Sequence, residues 1–85
     1  MVDPSISSEA VSLMMGDRQR THGDPQKTLE RIAVMWSGFL DRDVTAAQVS
    51  SMMALVKIAR SAHAYERDHY VDAVAYLLLA ESLER

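Results

Sequence analysis

Residues 69–83, HYVDAVAYLLLAESL, carry the most apolar helical pattern of the chain. Apolar side chains occupy more than one face of this segment, so the helix is expected to contact neighbours on two sides. In a chain of 85 residues the second neighbour is expected to be another subunit, because a single core of this size is marginal. We therefore predict a homo-oligomer, with an interface that includes some of Met35, Leu77, Leu79 and Leu83.

Three more helix-patterned segments precede this one. Each has apolar residues three and four positions apart, and each begins at a residue that favours helix capping. The predicted core stripe of the second segment is Leu29, Ile32, Ala33, Trp36, Phe39 and Leu40, and that of the third is Val49, Met52, Met53, Val56, Ala59 and His63. Because the connections are only a few residues long, consecutive helices are expected to run antiparallel. The sequence therefore predicts an all-α, antiparallel four-helix bundle in one domain, residues 1–85. The predicted helices are 4–20, 25–40, 46–64 and 69–83, and the capping residues are Asp3, Asp24 and Thr45 with Gln48.

The composition narrows the possible functions. The net charge is −3, which argues against DNA as a partner, because nucleic-acid binding rests on cationic surfaces. The 48% hydrophobic content suits an ordered protein rather than a disordered one. No cysteine is present, which suits a reducing cytoplasm. No apolar stretch approaches the ~18 residues that a membrane span needs, so we expect no membrane contact.

The connection between the first two helices, Arg18-Gln19-Arg20-Thr21-His22-Gly23-Asp24-Pro25, concentrates cations. The glycine can adopt a positive φ and end the first helix. The next helix then begins with free backbone amides, and amides beside arginines can bind an anion. The alternative is a helix–helix turn with solvated cations. The candidate ligand-binding residues here are Arg18, Arg20, Thr21, His22 and Gly23.

The start of the last helix carries a pair of carboxylates. Asp68 and Asp72 are four residues apart, so both can point the same way from a helix. Mg²⁺ is often held by one or two carboxylates together with phosphates and water. We therefore predict Mg²⁺ as a cofactor, with Asp68, Asp72 and Glu30 as candidate ligands. The alternative is that Asp68 caps the helix and Asp72 is a first-turn acid that the helix dipole favours.

Two cations and two tyrosines complete the predicted site. Lys57 and Arg60 lie three residues apart and could bind phosphate oxygens. They could equally pair with the two aspartates across an antiparallel neighbour. Tyr70 and Tyr76 flank Asp72 in the sequence and could stack on a base, or could simply pack between helices.

Four motifs in a fixed order resemble a known family. They are RxxTHGDP at 18–25, LxxIAxxW at 29–36, MMxLxKIAR at 52–60 and DHYVDxxxY at 68–76. Together they resemble a family of short, mostly phage-encoded proteins of uncharacterised function. The resemblance covers nearly the whole chain, and it implies that the protein works in the host cytoplasm.

The last motif is also similar to the final carboxylate-bearing helix of MazG-like, all-α nucleoside triphosphate pyrophosphohydrolases, and to phage nucleotide-modification domains. That resemblance implies Mg²⁺ held by acidic pairs on two helices and cleavage between the α- and β-phosphates. The family pattern includes Glu-x-x-Glu, which this chain lacks. Its own acidic pair is spaced four residues apart rather than three. Whether the protein is an enzyme is therefore left open.

The sequence as a whole favours binding of a nucleotide or a related phosphorylated small molecule. Mg²⁺ and MazG-like pyrophosphohydrolysis are the catalytic extension of that function. The alternative is a non-catalytic phage interaction protein, which inhibits or sequesters a host factor or a signal nucleotide. The expected partners are the small molecule and a second copy of the chain.

Overall fold

The computed structural model describes residues 1–17 and 23–85. This part of the chain is helical and contains no β-strand, which confirms the predicted all-α class. A π-helical turn, Leu13–Asp17, extends the first helix. None of the helices in these two ranges has the length and apolarity needed to cross a membrane. The α-helices are α1, Ser5–Ser12; α2, Pro25–Leu40; α3, Ala46–Ser61; and α4, Arg67–Glu84.

The predicted capping residues of the first three α-helices bind backbone amides at the helix starts. The Asp24 carboxylate accepts a hydrogen bond from the backbone N–H of Gln26 at 3.0 Å, and the Asp3 carboxylate accepts one at 2.9 Å from the first residue of α1. Thr45 and Gln48 form the reciprocal capping box, with bonds of 3.1 and 3.0 Å. These caps satisfy amides that have no partner inside the helix.

The start of α4 differs from the prediction. Glu66, which has an extended backbone, occupies the cap position, and its side chain makes no capping bond. Asp68 therefore lies inside the first turn, and Asp72 lies beyond it. The alternative in which Asp68 caps the helix and Asp72 is a first-turn acid is wrong, because the helix begins at Arg67.

Helices α3 and α4 form an antiparallel pair. The Ser50 hydroxyl donates to the carbonyl of Tyr76 at 2.6 Å, and Lys57 lies 3.1 Å from Asp72. These two contacts run in opposite order along the helices. Small side chains are buried on both helices, and small side chains allow two backbones to approach closely. They are Ala47, Ser50 and Ala54 on α3 and Ala73, Ala75 and Ala80 on α4.

Helix α1 packs on α4. Arg67 donates hydrogen bonds to Glu9 at 2.5 Å and to Ser5 at 2.8 Å. Ala10 is fully buried in a cluster with Val71 and Ala75. Helix α2 contributes to a second cluster around α3 and α4, whose buried members are Leu29, Ala33, Val49 and Leu79.

Candidate functional site

A cleft of about 370 Å³ opens between the start of α2 and the α3–α4 pair. Gly23 lies at its edge with φ of 79°, which confirms the predicted positive φ. A residue with a side chain would be strained in that conformation. The cleft is lined by Gly23, Pro25, Thr28, Leu29, Ile32, Met53, Tyr76 and Leu79.

The walls of the cleft are mostly apolar. Leu29 and Leu79 belong to the core, while Ile32 and Met53 are half-buried beside them. Tyr76 is also half-buried, and its backbone is fixed by the hydrogen bond from Ser50. The cleft therefore offers apolar surface and one aromatic ring, a combination that suits a planar, largely apolar group.

A mostly buried ion pair lies one helical turn from the cleft. The Lys57 ammonium is 3.1 Å from an Asp72 carboxylate oxygen, and the two side chains are 15% and 18% exposed. Lys57 follows Met53 by four residues, and Asp72 precedes Tyr76 by four, so each lies on the same helix face as a cleft residue. The predicted alternative of an ion pair across an antiparallel neighbour is confirmed for Lys57 with Asp72.

The backbone amides at the start of α2 are less available to an anion than expected. Pro25 has no N–H, and the amide of Gln26 is bound by the Asp24 carboxylate. That carboxylate also places negative charge where an anion would sit. The expectation of free amides therefore fails at both positions, because the capping aspartate serves the helix itself.

The predicted site residues are only partly brought together. Gly23 and Tyr76 line the cleft, and Lys57 and Asp72 lie beside it. Four others are exposed and lie outside the cleft lining: Glu30, Arg60, Asp68 and Tyr70. The predictions for Arg18, Arg20, Thr21 and His22 fall outside the described residues.

The three predicted metal ligands do not form one group. Among the side chains that the structure describes, at positions 1–15 and 23–85, no three acidic or imidazole groups are close enough to hold a metal ion together. Glu30 lies on α2 and accepts a hydrogen bond from Gln26, while Asp72 pairs with Lys57. These residues do not fit a resident Mg²⁺ centre, and Mg²⁺ stays a prediction tied to a phosphate ligand.

The family match covers the whole helical unit. Residues 5–84 match the family described as domain of unknown function DUF6378. The chain belongs to this family. Its matched region begins with the first residue of α1 and ends with the last residue of α4, so the cleft and the ion pair lie within the DUF6378 domain.

Two phage proteins are similar to this DUF6378 chain. The Gene 55 protein of Mycobacterium phage D29 is 36% identical over 73 residues, which cover 85% of this chain and 48% of the relative. The Gene 55 protein of Mycobacterium phage L5 is 33% identical over 82 residues, covering 94% of this chain and 53% of the relative. The chain thus spans about half the length of these curated relatives. No solved structure matches the chain.

Sequence reasoning missed Thr28 as a cleft residue. Its hydroxyl donates to the Asp24 carbonyl at 3.3 Å, so the side chain is tied to the helix start. Leu29 and Ile32 were expected only in the α2 core stripe. The sequence signal for the cleft was Thr28 itself, a polar residue next to the apolar face at the start of α2. Its position marks the edge of the cleft.

Proposed function

We propose that this DUF6378 protein binds a nucleotide or a related phosphorylated small molecule in the cleft at the start of α2. The observation that carries the proposal is the pairing of an apolar cleft, with Tyr76 in its wall, and the mostly buried Lys57 one turn away. A volume of about 370 Å³ lies within the usual range of small-molecule sites.

The two parts of the site suit two parts of such a ligand. A base would lie against Tyr76 and the apolar side chains of Met53 and Ile32, since aromatic and thioether groups pack well on planar rings. The phosphates would extend toward Lys57, whose ammonium can form charge-assisted hydrogen bonds with them. Arg18 and Arg20, which precede Gly23 by five and three residues, lie outside the described residues and stay predictions for the phosphate end of the ligand.

Lys57 would have to share its ammonium between Asp72 and a phosphate. An ammonium has three donors, so it can hold a carboxylate and a phosphate oxygen at once. Asp72 would then orient the cation rather than compete for it. This arrangement supports binding and does not require a metal.

The proposal is limited to binding. MazG-like hydrolysis and Mg²⁺ stay predictions from the sequence resemblance, because the chain lacks the Glu-x-x-Glu pattern. The last motif contains two carboxylates on α4, Asp68 and Asp72, and these are its only candidate ligands for a Mg²⁺ ion that is bound to a phosphate. Product analysis in the binding experiment addresses this extension directly.

A second candidate function is that of an interaction protein. Several large apolar side chains of α2 are exposed, and exposed apolar patches often mark protein–protein contacts. Phe39 is 90% exposed, Val34 73% and Met35 68%. In this function the chain would bind a host factor through α2 rather than a nucleotide through the cleft.

Thermal shift and calorimetry with nucleoside mono-, di- and triphosphates, with and without Mg²⁺, test the proposal. A ligand that binds only the folded protein raises the unfolding midpoint by mass action. Tyr76→Leu should weaken binding at least about tenfold, whereas the exposed Tyr65→Leu should not. Lys57→Met should also weaken binding, and the α2 surface variant Lys27→Met is its matched control.

Three results would contradict the proposal. The first is the absence of any midpoint shift with every nucleotide. The second is equal binding by Tyr76→Leu and wild type. The third is binding that survives Lys57→Met but is lost in Lys27→Met. Any of these results would favour the second candidate function if the chain also captures a host protein and that capture is lost when Phe39 is replaced.

A further inference from the structure

We propose that the outer face of the α3–α4 pair binds a second copy of this chain. The outer face is defined here by four large side chains on the two helices. Their exposed fractions are 62% for Leu55, 50% for Ile58, 46% for Tyr70 and 50% for Leu77.

On α3 the position of this face follows from the buried residues. Ser50 and Ala54 are turned toward α4, since Ser50 bonds to the α4 backbone and Ala54 lies one turn further along the same face. Val49 lies in the core cluster with α2, on one side of that row. At 100° per residue, Leu55 and Ile58 fall on the other side of it.

The same reasoning applies to α4. Ala73 and Ala80 are both buried and lie seven residues, or about two helical turns, apart, one before and one after Tyr76, whose carbonyl Ser50 binds. Leu79 lies in the core cluster on one side of them. Tyr70 and Leu77 are seven residues, or about two helical turns, apart, and they lie on the opposite side of the helix from Leu79. The exposed side chains of α3 and α4 therefore share one surface on the side away from α2. Tyr70 lies at its edge toward α1, because Arg67 bonds to α1 and Val74 packs against the α1–α4 cluster, one turn before and one turn after it.

The total exposed area is larger than a compact chain of this size should have. The structure exposes 6213 Å², whereas a compact monomer of 9.5 kDa is expected to expose about 5,000 Å². The excess is counted over the whole chain, and it is large enough to include a standard interface, in which each partner buries ~800 Å². The radius of gyration, 13.4 Å, likewise exceeds the roughly 12 Å expected for 85 residues.

The burial of the apolar side chains also supports a contact with a further subunit. Within the described ranges the buried hydrophobic residues are mostly alanines, and only Leu29, Val49, Val71 and Leu79 are larger. More of the large apolar side chains are exposed than buried, which is the pattern of a subunit whose second core forms on assembly.

A second copy is the occupant that this face fits. Its four side chains are uncharged, so two copies related by a two-fold axis can bring them together at the centre of a contact. Glu66 and Glu81, four residues from Tyr70 and Leu77 on the same helix face, are exposed and would lie at the rim of that contact. The predicted interface is corrected in part. Leu77 stays in it, whereas Leu79 is buried in the core and Leu83 packs against that core.

Analytical ultracentrifugation of the full chain tests this proposal. Wild type should sediment as a dimer of twice 9.5 kDa at about 50 µM. Ile58→Lys and Leu77→Glu should each raise the dimer dissociation constant at least about a hundredfold, because each buries a charge at the contact. Val34→Lys places the same charge at a more exposed site on α2, and it should leave the dimer intact.

A second measurement needs no variant. The unfolding midpoint of a dimer rises with protein concentration, and that of a monomer does not. A wild type that stays monomeric at 200 µM with a constant midpoint would overturn the proposal and leave the other half of the longer phage relatives as the partner. A dimer that Val34→Lys dissociates and Ile58→Lys does not would place the contact on α2 instead.

Discussion

Replacing Asp72 by asparagine tests the ion pair beside the cleft. The carboxylate lies 3.1 Å from Lys57, and the two side chains are only 15% and 18% exposed. Removing one partner of a fully buried pair costs about 3–5 kcal/mol, because the remaining charge keeps its desolvation penalty. The asparagine oxygen can still accept a hydrogen bond from the ammonium, and some water reaches the pair. We therefore expect Asp72→Asn to lower the free energy of unfolding by about 1–3 kcal/mol.

A double-mutant cycle separates the pair from the rest of the interface. Lys57→Met alone should also destabilise, while Lys57→Met combined with Asp72→Leu should lie within about 1 kcal/mol of wild type, since an apolar pair of similar size replaces the charges. The coupling energy should be about 1.5–3 kcal/mol. Urea unfolding followed by circular dichroism, at one fixed protein concentration, provides the free energies.

The exposed pair of Glu81 and Arg85 is the control. Their side chains are 62% and 72% exposed, although they lie 2.7 Å apart. Glu81→Gln should leave the stability unchanged within error, because water screens such a pair. A coupling energy near zero for Lys57 and Asp72 would refute the reasoning. Loss of an Mg²⁺-dependent increase in stability in Asp72→Asn, with little change in the metal-free stability, would instead assign Asp72 to a metal.

Three further perturbations act on other parts of the fold. Thr45→Ala removes the hydroxyl of the capping box and should lower the unfolding free energy by about 1 kcal/mol in urea titrations. Ser50→Val, at a fully buried position bonded to Tyr76, should cost about 1–3 kcal/mol by overpacking the helix contact, measured the same way. Hydrogen bonds from Ser5 hold the pKa of Asp3 below its usual value. The stability that this capping adds is present above the unfolded pKa and is lost as the pH falls through the folded one. The protection factors of the α1 amides, which are corrected for the intrinsic exchange rate at each pH, should therefore fall below about pH 4.

The limits of α2 could be predicted from the sequence because local chemistry determines them. Asp24 and Pro25 begin the helix, and the chain turns to a left-handed conformation at Asp41 directly after it. Such features depend on a few neighbouring residues, so they can be recognised in a single sequence. The start of α4 was harder to predict, because Glu66 occupies the cap position although its side chain makes no capping bond.

The buried face of α3 could not be predicted in the same way. Hydrophobic periodicity predicted one face with Val49, Met52, Met53, Val56, Ala59 and His63. Of these, Val49 is buried in the core with α2 and Met53 is half-buried against it, whereas the other four are exposed. The face that meets α4 instead carries Ser50 and Ala54. Large apolar residues rank as more buried in sequence patterns, whereas two helices in close contact need small side chains between them. Which face meets a neighbour is therefore a tertiary property that periodicity alone does not contain.

In the candidate site, too, some residues could be predicted from the sequence and others could not. The sequence indicated Tyr76, Lys57 and Asp72 as site residues, and the structure brings the cleft and the ion pair to neighbouring turns. Leu29 and Met53 were expected only as core residues, because a cleft wall and a core contact look alike in sequence. Glu30 was grouped with the aspartates because of its residue type, although its helix places it elsewhere.

The two proposals use different faces of α3, and this makes them separable. Lys57 and Ile58 are adjacent in sequence but about 100° apart around the helix. Lys57 pairs with Asp72 beside the cleft, and Ile58 is half exposed on the outer face. If both proposals hold, Lys57→Met weakens nucleotide binding and preserves the dimer, while Ile58→Lys dissociates the dimer and leaves the cleft side chains in place. Loss of both properties in each variant would mean that ligand and second copy depend on one packed arrangement of α3 and α4, so that the cleft is formed only in the assembled protein.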